Sequence, residues 1–119
     1  MNEQFPAIRQ TLISGQKPAI LPTLDEKGET VFQGVVAKND KGCEVDGWCL
    51  LEVTIEENVV LVVYHFGEWP PCENDGATTE GFSVSVGDRV EIYGAVYEGQ
   101  TISTCADQRF YIQKLPANP

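Results

Sequence analysis

No lysine or arginine lies between Lys41 and Arg89, and no apolar run nears the ~20 residues that a membrane-crossing helix needs. The start, Met1-Asn2-Glu3-Gln4-Phe5-Pro6, has no basic stretch leading into an apolar one, so no secretory leader is expected. There is one histidine, His65, and no Cys-x-x-Cys pair. No glycine-rich loop opens a helix to cradle phosphate, since Gly87, Gly94 and Gly99 punctuate strand-like segments instead. No spacing marks a base beside a nucleophile, so nothing points to catalysis. The expectation is a non-enzymatic, cytoplasmic protein that uses no cofactor and touches no membrane.

Acid is what the chain has in excess: 18 acidic against 8 basic residues among 119, a net charge of −10. All of that excess falls within residues 42–88, because the eight acids outside this stretch are balanced by the eight bases. Such a field repels nucleic acid and attracts cations or basic protein surfaces, unless it serves only to keep the protein soluble. The length suits a single domain. It divides into an N-terminal helix and connector over 1–29 and a β domain over 30–119.

Phe5, Ile8, Leu12 and Ile13 recur at helical spacing, which predicts a helix over 3–14 stopped by Gly15. Pro18, Pro22 and Gly28 make 16–29 an irregular connector. From residue 30 the signals are β: strands are predicted over 30–38, 48–55, 59–66, 88–97 and 101–105. Residues 109–115 form a sixth strand or continue the fifth. Turns fall at Val45-Asp46-Gly47, Glu56-Glu57-Asn58 and Glu98-Gly99. Residues 67–87, with Pro70, Pro71, Gly76 and Gly81, read as a long loop that can hold one helical turn near Thr79.

The run Val86-Gly87-Asp88-Arg89-Val90-Glu91-Ile92-Tyr93-Gly94-Ala95-Val96 resembles the start of the fourth strand of OB-fold domains. In that family Gly-Asp turns the chain, alternating Val and Ile fill a small barrel, and a glycine bends the strand. The resemblance spans about residues 30–115 in pattern. It implies an all-β, five- to six-stranded barrel that binds ligands on the face of strands two and three, commonly single-stranded nucleic acid or oligosaccharide. The chain departs from the family over 67–87, where many members carry a helix closing the barrel; the N-terminal helix is the available substitute.

The third strand is apolar on both sides: Val59-Val60-Leu61-Val62-Val63-Tyr64 contains no charged or amide side chain. A turn at Glu57-Asn58 pairs Ile55 with Val60, Val53 with Val62 and Leu51 with Tyr64. Cys49, Leu51, Val53, Ile55, Val60, Val62, Tyr64 and Phe66 then line the barrel, while Trp48, Leu50, Leu61, Val63 and His65 face out beside Glu52 and Thr54. A turn one residue longer exchanges the two third-strand sets. A small antiparallel barrel normally alternates apolar and polar residues, so something should cover the outer side. The N-terminal helix is one candidate cover, and a protein partner or second copy of the chain is the other. Trp48, Leu50, Leu61, Val63, His65 and Trp69 are the expected contact residues, with Trp48, Leu50 and Trp69 as anchors. Trp48, Tyr64, Trp69, Tyr93 and Tyr97 could instead stack nucleic-acid bases, although strands two and three offer no basic side chain to track a backbone.

Cys43, Cys49, Cys72 and Cys105 are expected as free, buried thiols of a reducing compartment, with a Cys43–Cys49 disulfide sterically open. Cys43, Cys49, His65 and Cys72 are the right ligand types for zinc, but the Cys-x5-Cys spacing lies outside the usual gap. An EF-hand around Asp40, Glu44, Asp46 and Gly47 fails because Gly42 and Val53 stand where acids are needed, leaving only an irregular calcium site.

Overall fold

The computed structural model describes residues 19–44, 48–66 and 72–117. The helix expected over 3–14, and with it Phe5, Ile8 and Leu12 as cover, lies outside the described residues. The described chain runs β1 (Glu29–Asp40), β2 (Cys49–Ile55), β3 (Asn58–His65), α1 (Asp75–Ser83), β4 (Arg89–Val96), β5 (Thr101–Ser103) and β6 (Tyr111–Lys114). The sheet runs β1-β2-β3-β5-β4, and the β1–β4 pairing closes it into a five-stranded barrel with β6 attached outside. All pairings of named strands are antiparallel except β3–β5, which is parallel. This closed mixed barrel is consistent with an OB-like fold. No described helix is long and apolar enough to cross a membrane.

Closure depends on β1 serving two neighbours. Its first half pairs with β4 from Glu29 to Val35, and its second half pairs with β2 from Val35 to Asp40. Gly34 sits at the changeover, where a Cβ would lie 2.5 Å from the Thr54 carbonyl oxygen. A register shift between Val36 and Lys38 adds the twist that carries the strand round. Gly94, expected to bend the fourth strand, lets β5 approach closely: a Cβ there would lie 2.7 Å from the Ser103 carbonyl oxygen.

The β2–β3 turn comprises only Glu56 and Glu57, with Glu56 at φ 55°, so Ile55 pairs with Asn58, Val53 with Val60 and Leu51 with Val62. The register differs from the expected one by two residues. Because side chains alternate with a period of two, the shift preserves the faces. Cys49, Leu51, Val53, Val60, Val62 and Tyr64 accordingly line the barrel with Val36, Val90, Ile92, Ile102 and Ile112, and Ile55 packs against them. Phe66 does not: past the register shift between Cys49 and Leu50 it leaves the barrel and joins a second cluster outside it.

Within residues 72–87 the helical turn expected near Thr79 is longer than one turn: it is a nine-residue helix, with Thr79 in its middle. Two glycines and three threonine or serine residues hide it from propensity, but Asn74 caps it, its side-chain oxygen accepting the Ala77 N–H. The helix fills a specific gap. β5 is three residues long, so the last turns of β3 and the first half of β4 share no strand, and α1 packs between β3 and β6 there. Phe82 and Val84 join the core at this end, while Ile20, Leu21 and Leu24 pack against it as well, the Ile20 N–H reaching the Val59 carbonyl at the far end of β3.

Candidate binding surface

The outer sides of β2 and β3 carry Leu50, Glu52, Thr54, Leu61 and His65, all half-buried. Val63 belongs to the same strand face but is fully buried, so it supplies no contact surface. What covers it is the chain itself. Val63, Phe66 and Cys105 form a cluster against which Trp48, Leu50, Cys72 and Tyr97 pack. Trp48 meets Phe66 and Tyr97 edge-on at centroid distances of 5.6 and 5.5 Å, and Phe66 and Tyr97 are 5.2 Å apart. Trp48 comes from the β1–β2 connection and Tyr97 from the β4–β5 connection, so two distant loops place one half-buried ring each at the same mouth of the β2–β3 face. Trp69 lies outside the described residues.

Of the other aromatic residues considered for stacking, Tyr64 is excluded by position. It is fully buried under Gly81 of α1, which approaches so closely that a Cβ would collide with the ring. Its hydroxyl donates to Asn39 Oδ1 at 2.7 Å, and Asn39 Nδ2 donates to the Gly81 and Val84 carbonyls. Burial pushes the Tyr64 phenol up to about 12. Because the folded value exceeds the ordinary one of 10.0, Tyr64 supports the fold fully below pH 10 and withdraws that support as pH rises toward 12. Urea midpoints measured between pH 9 and 12 should therefore fall in the wild type. Tyr64→Phe, lower at neutral pH through the lost hydrogen bond, should show a shallower alkaline decline.

Tyr93 stands on the opposite flank, on β4, in a network that the sequence did not reveal. Arg109 pairs with Glu29 and with Asp107, each at 2.9 Å, and donates to the Tyr93 hydroxyl at 2.9 Å. That hydroxyl donates to Glu29 Oε1 at 2.8 Å, while Tyr111 donates to Glu91 Oε2 at 2.6 Å and Gln33 Nε2 donates to Glu91 Oε1. These bonds lower the acids Glu91 and Asp107 and raise the phenols Tyr93 and Tyr111. A shallow groove of about 330 Å³ adjoins it, lined by Thr23, Leu24, Asp25, Glu29, Thr30, Val31 and Tyr93. The named groups satisfy one another, which makes this a clamp between β1, β4 and the turn before β6. Its one short-range part is Asp107-x-Arg109, where Asp107 Oδ1 accepts the Arg109 N–H; every other contact joins residues far apart in the chain.

The cysteines correct the sequence reading. Cys43 is joined to Cys49, as their positions allowed, and Cys72 is joined to Cys105, leaving no free thiol. Cys43, Cys49 and Cys72 are therefore not thiolates that could join His65 on a metal, and no cluster of three potential ligands occurs among the described residues. Asp40 spends one carboxylate oxygen on the Gly42 N–H, and residues 45–47 lie outside the described residues. His65 lies 6.1 Å from the Phe82 ring, and its Nδ1 is buried without a hydrogen-bond partner. Compared with protein-family models, with curated proteins and with solved structures, the chain finds no match in any of the three.

Proposed function

We propose that the chain is an OB-like, non-enzymatic binding module whose contact surface is the outer side of β2 and β3, and whose partner is a protein or a second copy of itself. The supporting observation is the half-buried band of Trp48, Leu50, Leu61, His65 and Tyr97, in which rings from two separate loops meet beside a strand pair. Aromatic and aliphatic side chains held by a rigid sheet are the usual anchors of protein contacts. Glu52 lies within the band, and the surrounding sequence carries the chain's entire acidic excess, so a basic partner surface fits better than an acidic one. Single-stranded nucleic acid is the weaker reading: β2 and β3 contribute no lysine or arginine to neutralise phosphate.

Leu61→Glu tests the assignment, since it adds a charge at a half-buried outer position and leaves the barrel lining alone. In light scattering with rising concentration, the wild type should exceed the monomer mass, or its β2–β3 amides should shift on titration with a lysine-rich peptide. The variant should lose either response by at least tenfold in apparent affinity while keeping its circular dichroism. A wild type that stays monomeric and silent to the peptide, yet shifts with a mixed-sequence DNA oligonucleotide at low salt, would overturn the protein-partner reading.

A further inference from the structure

We propose that this chain is a client of a thiol–disulfide oxidoreductase and matures in an oxidising compartment, with Cys43–Cys49 and Cys72–Cys105 as permanent parts of the folded protein. The inference is independent of which partner the β2–β3 face binds. It rests on how completely the fold is arranged around the two bonds. All four cysteines are used with none left over. The Cα atoms stand 4.8 and 4.7 Å apart, within the range that a disulfide spans. Cys43, Cys49 and Cys105 are buried and Cys72 is half-buried, so both bonds are enclosed in the folded protein.

Each bond ties a connection between elements to the rest of the fold. Cys43–Cys49 closes the β1–β2 connection, across a separation of 6 residues, around the loop that carries Trp48 into its ring cluster. Cys72–Cys105 crosses 33 residues to tie the lead into α1 to the end of β5, where the Glu73 N–H also meets the Cys105 carbonyl. Reducing compartments keep such pairs as thiols, whereas small exported domains use them as staples. The expectation of free thiols followed from that of a cytoplasmic protein, and the two paired bonds argue against both.

Each bond forms by exchange. One cysteine thiolate attacks the oxidoreductase disulfide to give a mixed disulfide; its partner thiolate then displaces the enzyme. Per bond, the chain loses two thiol hydrogens, as two protons and two electrons, and one oxidoreductase disulfide becomes a dithiol. Of the four sulfurs, that of Cys72 belongs to the one half-buried cysteine, so it is the natural point of attack in the Cys72–Cys105 pair.

The test traps thiols in acid-quenched cells that make the chain naturally, with maleimide labelling, intact mass and peptide mapping. The expected result is no labelled thiol per chain, a mass lower by the four thiol hydrogens, and the pairs 43–49 and 72–105. Four labelled thiols, or a different pairing, would overturn the proposal. A second arm expresses the full chain in a reducing cytoplasm, where labelling should rise from none to four thiols per chain; complete protection there would show that no oxidising compartment is needed and sink that half of the inference.

Discussion

Asn74→Asp should destabilise the protein more than Asn74→Ala, the reverse of what helix capping alone dictates. At an ordinary N-cap aspartate serves as well as asparagine, and alanine costs about 1 kcal/mol. Here the side chain has a second task. Asn74 is buried, and while its Oδ1 accepts the Ala77 N–H, its Nδ2 donates to the carbonyls of Thr104, Asp107 and Phe110 at 2.8, 2.9 and 2.9 Å. One side chain thus fastens the start of α1 to the whole β5–β6 connection. Alanine removes the cap and leaves these carbonyls short of a donor, for a loss of roughly 2–3 kcal/mol. Aspartate keeps the cap but points a carboxylate oxygen at three carbonyl oxygens in a buried site, for roughly 4 kcal/mol at neutral pH. That is a large share of the 5–15 kcal/mol of a typical domain.

The pH dependence separates the two causes. The carbonyls would raise the new carboxyl's folded pKa above its unfolded value of about 3.9. The penalty therefore grows as pH rises through that range and shrinks on acidification, where the protonated carboxyl regains one of the amide's two donors. Urea midpoints for Asn74→Asp, relative to Asn74→Ala, should recover between neutral pH and about pH 4. If aspartate is as stable as wild type at neutral pH, Asn74 is only a cap and the three-carbonyl contact does not carry the loop.

How much of this could be read in advance follows from where the information is local. Alternation along residues 49–65 placed the barrel-facing residues correctly even though the register was off by two, because an even slip leaves every side chain on its own face. Five of the strands were legible because each is a property of a few neighbouring residues; residues 109–115 read as a sixth strand or a continuation of the fifth, and the Gly87-Asp88 turn came from the resemblance to OB-fold domains. Helix α1 was not legible at its full length, since its stripe is short and Gly81 is there for Tyr64 rather than for the helix. The cover over Val63 was not legible either. Phe66, Tyr97 and Cys105 come from three separate connections, and their meeting depends on the parallel β3–β5 pairing that only closure enforces. Arg109 finding Glu29 across 80 residues is of the same kind.

Replacing Cys72 and Cys105 together by alanine should cost more than replacing Cys43 and Cys49 together, although both pairs are internal staples. In the chain-entropy account a bond stabilises by the freedom it removes from the unfolded chain, which grows with the loop it closes. A separation of 33 residues corresponds to roughly 3–4 kcal/mol, and one of 6 to about 2 kcal/mol. The long-range bond also has contacts of its own. The Cys72–Cys105 bond sits in the cluster that covers Val63, with Cys72 Sγ 3.4 Å from the Thr78 hydroxyl, which in turn donates to the Tyr64 carbonyl at 2.9 Å. Losing it loosens the lead into α1 from the end of β5 and leaves Asn74 as the main tie between them. Thermal unfolding should show a drop of well over 10 °C for the Cys72→Ala/Cys105→Ala protein, and about half as much for the other pair. Hydrogen exchange should rise first in α1, before the β1–β2–β3 amides, because the helix then opens as a local unit while the barrel ladder persists. Equal losses from the two pairs, or exchange that rises uniformly through the barrel, would mean that the long-range bond does not hold the helix in the gap between β3 and β6.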